Sequence, residues 1–177
     1  MSEPHSLYVR ATVTPQRYEQ MMSSQVPVGG AFNDWQGWID GQLGQSVAVP
    51  ERFLQAFADI SLQQFVSGVC EAPHCMAHTH YDRNRGIWQL GILQLTENYA
   101  EMIPYLAAVR GCAAFNQPQA DDFAAIYPFV WGDTGYAACI SLHNGQSTLI
   151  DELTAEQRQE ADSFLGAIMT RAMKGSG

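Results

Sequence analysis

The chain has 177 residues, of which 46% are hydrophobic, 11% aromatic and 15% charged; this is the composition of a globular protein, long enough to bury a sizeable core in one domain. Its net charge of -9 arises as much from missing bases (one lysine, eight arginines) as from abundant acids, and a field of that sign repels nucleic acid and anionic lipid while favouring basic partners. No stretch approaches the roughly 18 apolar residues of a membrane span, and "MSEPHSLYVRATV" lacks the basic leader and apolar run of a secretory signal, so the chain is expected to be cytoplasmic, with its cysteines at 70, 75, 112 and 139 as reduced thiols.

The first element is a strand. "SLYVRATV" alternates, with Leu7, Val9, Ala11 and Val13 on one face and Tyr8, Arg10 and Thr12 on the other, the period of a half-buried strand. A helix follows at once, because Thr14 suits an N-cap, Pro15 suits the first helical position, and Tyr18, Met21 and Met22 supply an apolar stripe. Residues 25–49, rich in glycine and carrying Trp35 and Trp38, read as a long structured loop or a short helix between turns. "VPERFLQAFADISLQQFVSG" predicts one helix that Pro50 starts.

"GIWQLGILQL" is apolar on both faces except at Gln89 and Gln94, which places it mid-sheet, covered on two sides. Thr96 then caps a helix over "ENYAEMIPYLAAVRG", which Pro104 is expected to kink or divide. The Asp121-Asp122 pair suits the start of a helix, where carboxylates meet the positive end of the dipole. "AAIYPFVWGDTGYAACISL" offers a strand or short helix, a turn at "GDTG" and a strand ending near Leu142. "HNGQ" is a turn, "STLI" a short strand, and residues 153–173 a final helix in which Thr154 and Gln157 have capping-box spacing.

These elements predict an α+β fold: one domain over residues 1–174, built on a mostly antiparallel sheet of 4–5 strands with helices packed on it. The closing Gly-Ser-Gly, 175–177, reads as a cloning remnant. "VTPQRYEQMM" and "LTENYAEMI" both follow a strand and place a tyrosine and a methionine at nearly equal offsets, which a duplicated β-α unit would explain.

"GVCEAPHCMAHTHYDR" gathers two cysteines and three histidines. Cys70, Cys75, His78 and His80 have the donor atoms of a zinc site. Their spacing, C-x4-C-x2-H-x-H, is tighter than the paired spacing of structural sites. A catalytic alternative takes His78, His80 and a third ligand such as His143, with an open position for water and Glu71 or Asp82 as a generic base. No H-E-x-x-H, G-x-S-x-G, Walker loop, G-x-G-x-x-G, kinase signature or EF-hand loop occurs. The cluster therefore reads first as loop and core residues, with no cofactor expected and zinc as the rival reading.

A stronger lead is the setting of aromatic residues among acids. Trp35 and Trp38 stand beside Asp34 and Asp40, and Trp131 stands near Asp133 and Tyr136, inside an interval from Arg110 to Arg158 that has no base between its ends. Tryptophan and tyrosine are preferred interface anchors, and flanking carboxylates steer a basic partner. The sequence thus reads as an acidic binding protein rather than an enzyme, in concrete form an immunity-type inhibitor that occludes a basic toxin. The rivals are a small zinc hydrolase using His78 and His80, and a homo-oligomeric ligand-binding protein whose central apolar strand lines a pocket.

Overall fold

The alternation of "SLYVRAT" produces strand β1 (Ser6–Thr12), and Thr14 caps helix α1 (Pro15–Ser23) by accepting from the Arg17 amide at 3.2 Å. The computed structural model describes residues 3–175. After α1 come a 3-10 turn at Gly29–Ala31, α2 (Trp35–Leu43), the short α3 (Glu51–Leu54) and α4 (Leu62–Glu71). They are followed by β2 (Ala77–Asp82), β3 (Ile87–Ile92), α5 (Tyr99–Arg110), a 3-10 turn at Gly111–Ala114, β4 (Asp122–Tyr127), β5 (Ala138–His143), β6 (Gln146–Ile150) and α6 (Ala155–Gly175).

The fold is α+β, a single compact domain built on one antiparallel sheet of six strands, one or two more than expected, in the order β2-β3-β1-β4-β5-β6. β1 and β2 both run antiparallel to β3, which lies between them, while β3 and β4 enclose β1 in the same way. Two β-α-β units are thus interleaved, the split β-α-β arrangement. The strand-helix pairs in which the sequence echo lies, β1–α1 and β3–α5, open these two units. β5 and β6 extend the sheet as a hairpin whose turn residues Asn144 and Gly145 both have positive φ, 54° and 73°, as a two-residue turn matched to strand twist requires.

Several local expectations change. The single helix expected over residues 49–68 is two, because Ser61 starts a new helix through a complete capping box with Gln64. Asn98, not Thr96, caps α5, accepting from the Ala100 amide; Thr96 instead donates to Glu101 and accepts from the Asn98 amide. α5 continues through Pro104, which is buried with most of the helix, so packing outweighs the lost backbone donor. Asp122 opens a strand, not a helix. β3 is interior but next to the edge, and β1 and β4 form the middle of the sheet. Gly175 belongs to α6, whereas Ser176 and Gly177 lie outside the described residues.

One face of the sheet, carrying Leu7, Val9, Trp88, Leu90, Ile126 and Ile140, packs under α1, α2, α4 and α5 in the larger core. The other carries Tyr8, Phe123, Ala125, Tyr127 and Cys139 and packs against Ala161, Leu165 and Ile168 of α6. β1 is therefore covered on both sides rather than half-buried. Gly91 permits the close approach of α6: a Cβ there would lie 2.7 Å from Ile168 and 2.9 Å from Phe164. Gly91→Ala is expected to force α6 outward and to cost about 1–3 kcal/mol, measurable by urea unfolding; an unchanged midpoint would show that the helix yields freely.

Burial between sheet and helices also suppresses ionisation. The phenols of Tyr8 and Tyr127 have pKa values raised above their ordinary range by burial, and burial pushes the Cys112 and Cys139 thiols up to about 12. The unfolded chain releases these protons near the ordinary thiol and phenol values of 9.0 and 10.0, while the folded chain holds them. Stability is therefore fully present below pH about 9 and is lost as pH rises through the alkaline range. Thermal unfolding between pH 7 and 11 is expected to show a Tm that falls above pH 9; a flat profile would contradict the burial.

Candidate functional site

The acid-flanked aromatic residues gather around two clefts at one end of the sheet. The first, about 420 Å³, lies between α2 and the β5–β6 hairpin and is lined by Asp34, Trp38, Tyr136, Leu149, Ile150 and Asp151 among others. The second, about 650 Å³, lies between the 129–136 loop and the start of α6, lined by Phe129, Thr134, Tyr136, Leu153, Arg158 and Asp162 among others. Tyr136 lines both, and the 151–156 segment runs from one to the other. Volumes of this order lie within the range of ligand-binding clefts.

α2 is held beside the hairpin by a buried cation. Arg110, 4% exposed at the end of α5, donates through both terminal nitrogens to the Asp34 carboxylate at 2.8 and 2.7 Å. It also donates from Nε to the Ser147 hydroxyl, and from Nη2 to the Ser147 carbonyl. Its guanidinium carbon stands 4.0 Å from the Phe32 ring centre and 4.8 Å from that of Trp35, within the range of cation–π attraction. At the other end of the cleft the Trp38 indole donates to the Ala137 carbonyl at 2.9 Å.

The loop between β4 and β5 is stapled from α6. Arg158 donates to the carbonyls of Asp133 and Thr134 and to the Asp162 carboxylate, and its guanidinium lies over the rings of Tyr127 and Tyr136. The loop turns at Gly132, whose φ is 72°, a conformation that glycine adopts without strain. This anchorage leaves Trp131 displayed, 55% exposed, with Val130 beside it.

The expected partner-binding residues therefore separate. Trp131, Asp133, Tyr136 and Trp38 occupy or adjoin the clefts. Trp35 does not reach a surface: it is 3% exposed, and its indole donates to the Gly29 carbonyl. Asp34 lines the first cleft, but its carboxylate is committed to Arg110. Asp40 accepts from the Val47 amide and Gln36 and fixes the turn after α2. Asp151, Glu152 and Glu156 are exposed on the segment between the clefts. Arg110 and Arg158, on which both clefts depend, carry no spacing signal; each is a base within a helical pattern.

The cysteine and histidine cluster is not assembled into a ligand set. Cys75 is buried in the helix-covered core and Cys70 is exposed at the end of α4. His78 and His80 alternate onto the opposite face of β2, where His78 stacks on Phe164 at 5.9 Å. His143 lies on β5, four strands from β2, roughly 19 Å away at about 4.8 Å per strand. Among the described residues no group of three or more His, Cys, Asp or Glu is placed to hold a metal ion. The apolar strand invoked for a ligand pocket, β3, is buried between helices, and its residues line neither cleft.

No helix among the described residues is long and apolar enough to cross a membrane. No protein-family model matches the chain, and neither the curated proteins nor the solved structures contain a significant match.

Proposed function

We propose that this chain is a cytoplasmic binding protein for a basic protein, in the manner of an immunity-type inhibitor that occludes a toxin or enzyme. The observation that carries this reading is the exposed Trp131 on a stapled loop, in a region whose surface acids, Asp133, Asp151, Glu152 and Glu156, form no ion pair among the described residues. Arg158, the base within the region, is committed to Asp162, to the loop carbonyls and to two tyrosine rings. An aromatic anchor within an acidic rim combines contact area with long-range attraction.

The test is affinity capture from the native host with two baits, the wild-type chain and Trp131→Ala. Trp131 supports no core contact, so the substitution is expected to change stability by less than about 0.5 kcal/mol. It is expected to weaken a captured basic partner by about 30-fold, the loss of one interface anchor worth about 2 kcal/mol. Equal retention of that partner on both baits would remove Trp131 from the interface, and recovery of acidic partners alone would overturn the reading.

A further inference from the structure

β6 is a sheet edge that Arg110 covers at Ser147 and that opens onto the first cleft from Thr148 to Ile150. In a two-residue hairpin the residues flanking the turn, His143 and Gln146, form a hydrogen-bonded pair, so the alternation of the antiparallel ladder points the backbone groups of Ser147 and Leu149 away from β5. The hydrogen bond from Arg110 to the Ser147 carbonyl agrees with that direction. Among the described residues, no side chain and no loop backbone meets the Ser147 amide or the amide and carbonyl of Leu149. Edge strands are commonly blunted by lysine, proline or a bulge. β6 has none of these: its sequence is Gln-Ser-Thr-Leu-Ile and its register with β5 is continuous. Neither strand of the hairpin carries a lysine or arginine, and Asp151 and Glu152 are exposed where β6 ends.

We propose that an extended, lysine- or arginine-bearing segment of the partner adds to β6 as a seventh strand, lying in the cleft between that edge and α2. The inference rests on the reading of a basic protein partner and specifies how that partner docks. Backbone pairing with Leu149 and with the Ser147 amide sets its register, Trp38 and Tyr136 supply apolar contact, and Asp151 with Glu152 attract its cations. A second copy of this chain is the wrong occupant, since its β6 carries no base to meet Asp151 and Glu152.

The probe is a short acetylated peptide of alternating lysine and valine, titrated calorimetrically at low salt. A second peptide of the same sequence is N-methylated at alternate residues, which keeps the charge and removes the pairing amides. The parent is expected to bind and the methylated peptide to bind at least about tenfold more weakly. Leu149→Pro removes an outward amide without touching the ladder to β5, and is expected to weaken the parent by about tenfold as well, with hydrogen exchange slowed at residues 147 and 149 in the wild-type complex. Equal binding of both peptides would overturn strand addition while leaving the basic-partner reading intact. Binding of neither peptide would also overturn strand addition, as would a solution dimer whose β6 amides are already protected. The broader reading fails separately, if capture from the host yields no basic protein.

Discussion

Replacing Asp122 with alanine is expected to destabilise the protein by about 3–5 kcal/mol, the cost of withdrawing a buried carboxylate that accepts four hydrogen bonds. Asp122 is 1% exposed at the first position of β4. Its carboxylate accepts from Arg10 Nε at 3.2 Å, from the Thr12 amide at 2.7 Å, from the Thr12 hydroxyl at 2.8 Å and from Asn116 Nδ2 at 2.8 Å. The Thr12 amide and hydroxyl lose this acceptor outright, while Arg10 keeps Glu160 and Asn116 keeps the Leu142 carbonyl. Asp122→Asn is expected to be nearly as damaging, because its amide would place an N–H group against donors. Urea unfolding provides the measurement, and a loss below about 1 kcal/mol would mean that water replaces the carboxylate without penalty. Arg10 also donates to Glu160, so this network joins β1, β4 and α6.

The second large effect is expected from Asp34→Ala, about 3 kcal/mol, at the lower end for a broken buried pair because Asp34 itself stays partly solvated. The side chains of Arg110 and Asp34 are 2% and 37% exposed, so the penalty falls on the cation, which keeps only Ser147 and the faces of Phe32 and Trp35. Removing the cation as well, in Asp34→Ala combined with Arg110→Met, is expected to recover much of the loss, since an apolar side chain needs no counter-ion in that place. A double variant no more stable than Asp34→Ala would contradict this account. α2 is also expected to loosen from the hairpin in the single variant, which would widen the first cleft.

The sequence marks those elements whose signals are local. The period of β1, the caps at Thr14 and Thr154, and the asparagine-glycine turn of the last hairpin each depend on neighbours within a few positions, and each stands where its residues place it. Both capping-box bonds between Thr154 and Gln157 are present. What depends on distant partners was not legible. Asp122 looks like the start of a helix until Arg10 and Asn116 are brought to it, and Asp34 looks like a free surface acid until Arg110 reaches it from α5. The four cysteine and histidine candidates are close in sequence, yet alternation along β2 sends the histidines to the face opposite Cys75. Trp35 and Trp38, three residues apart, differ because only Trp38 stands at the edge of the core.

The function of the acidic end is most directly tested by moving its charge. One variant reverses Asp133, Asp151, Glu152 and Glu156 to lysine around the two clefts. A control makes the same change in net charge with Glu19, Glu51, Asp59 and Glu71, which α1, α3, α4 and the turn before α4 carry elsewhere. Each is used as bait against host extract beside the wild-type chain, and the retained basic protein is quantified. The account predicts that the cleft variant loses it and the control keeps it. Equal loss from both would assign the interaction to net charge alone, and retention by the cleft variant would contradict the site.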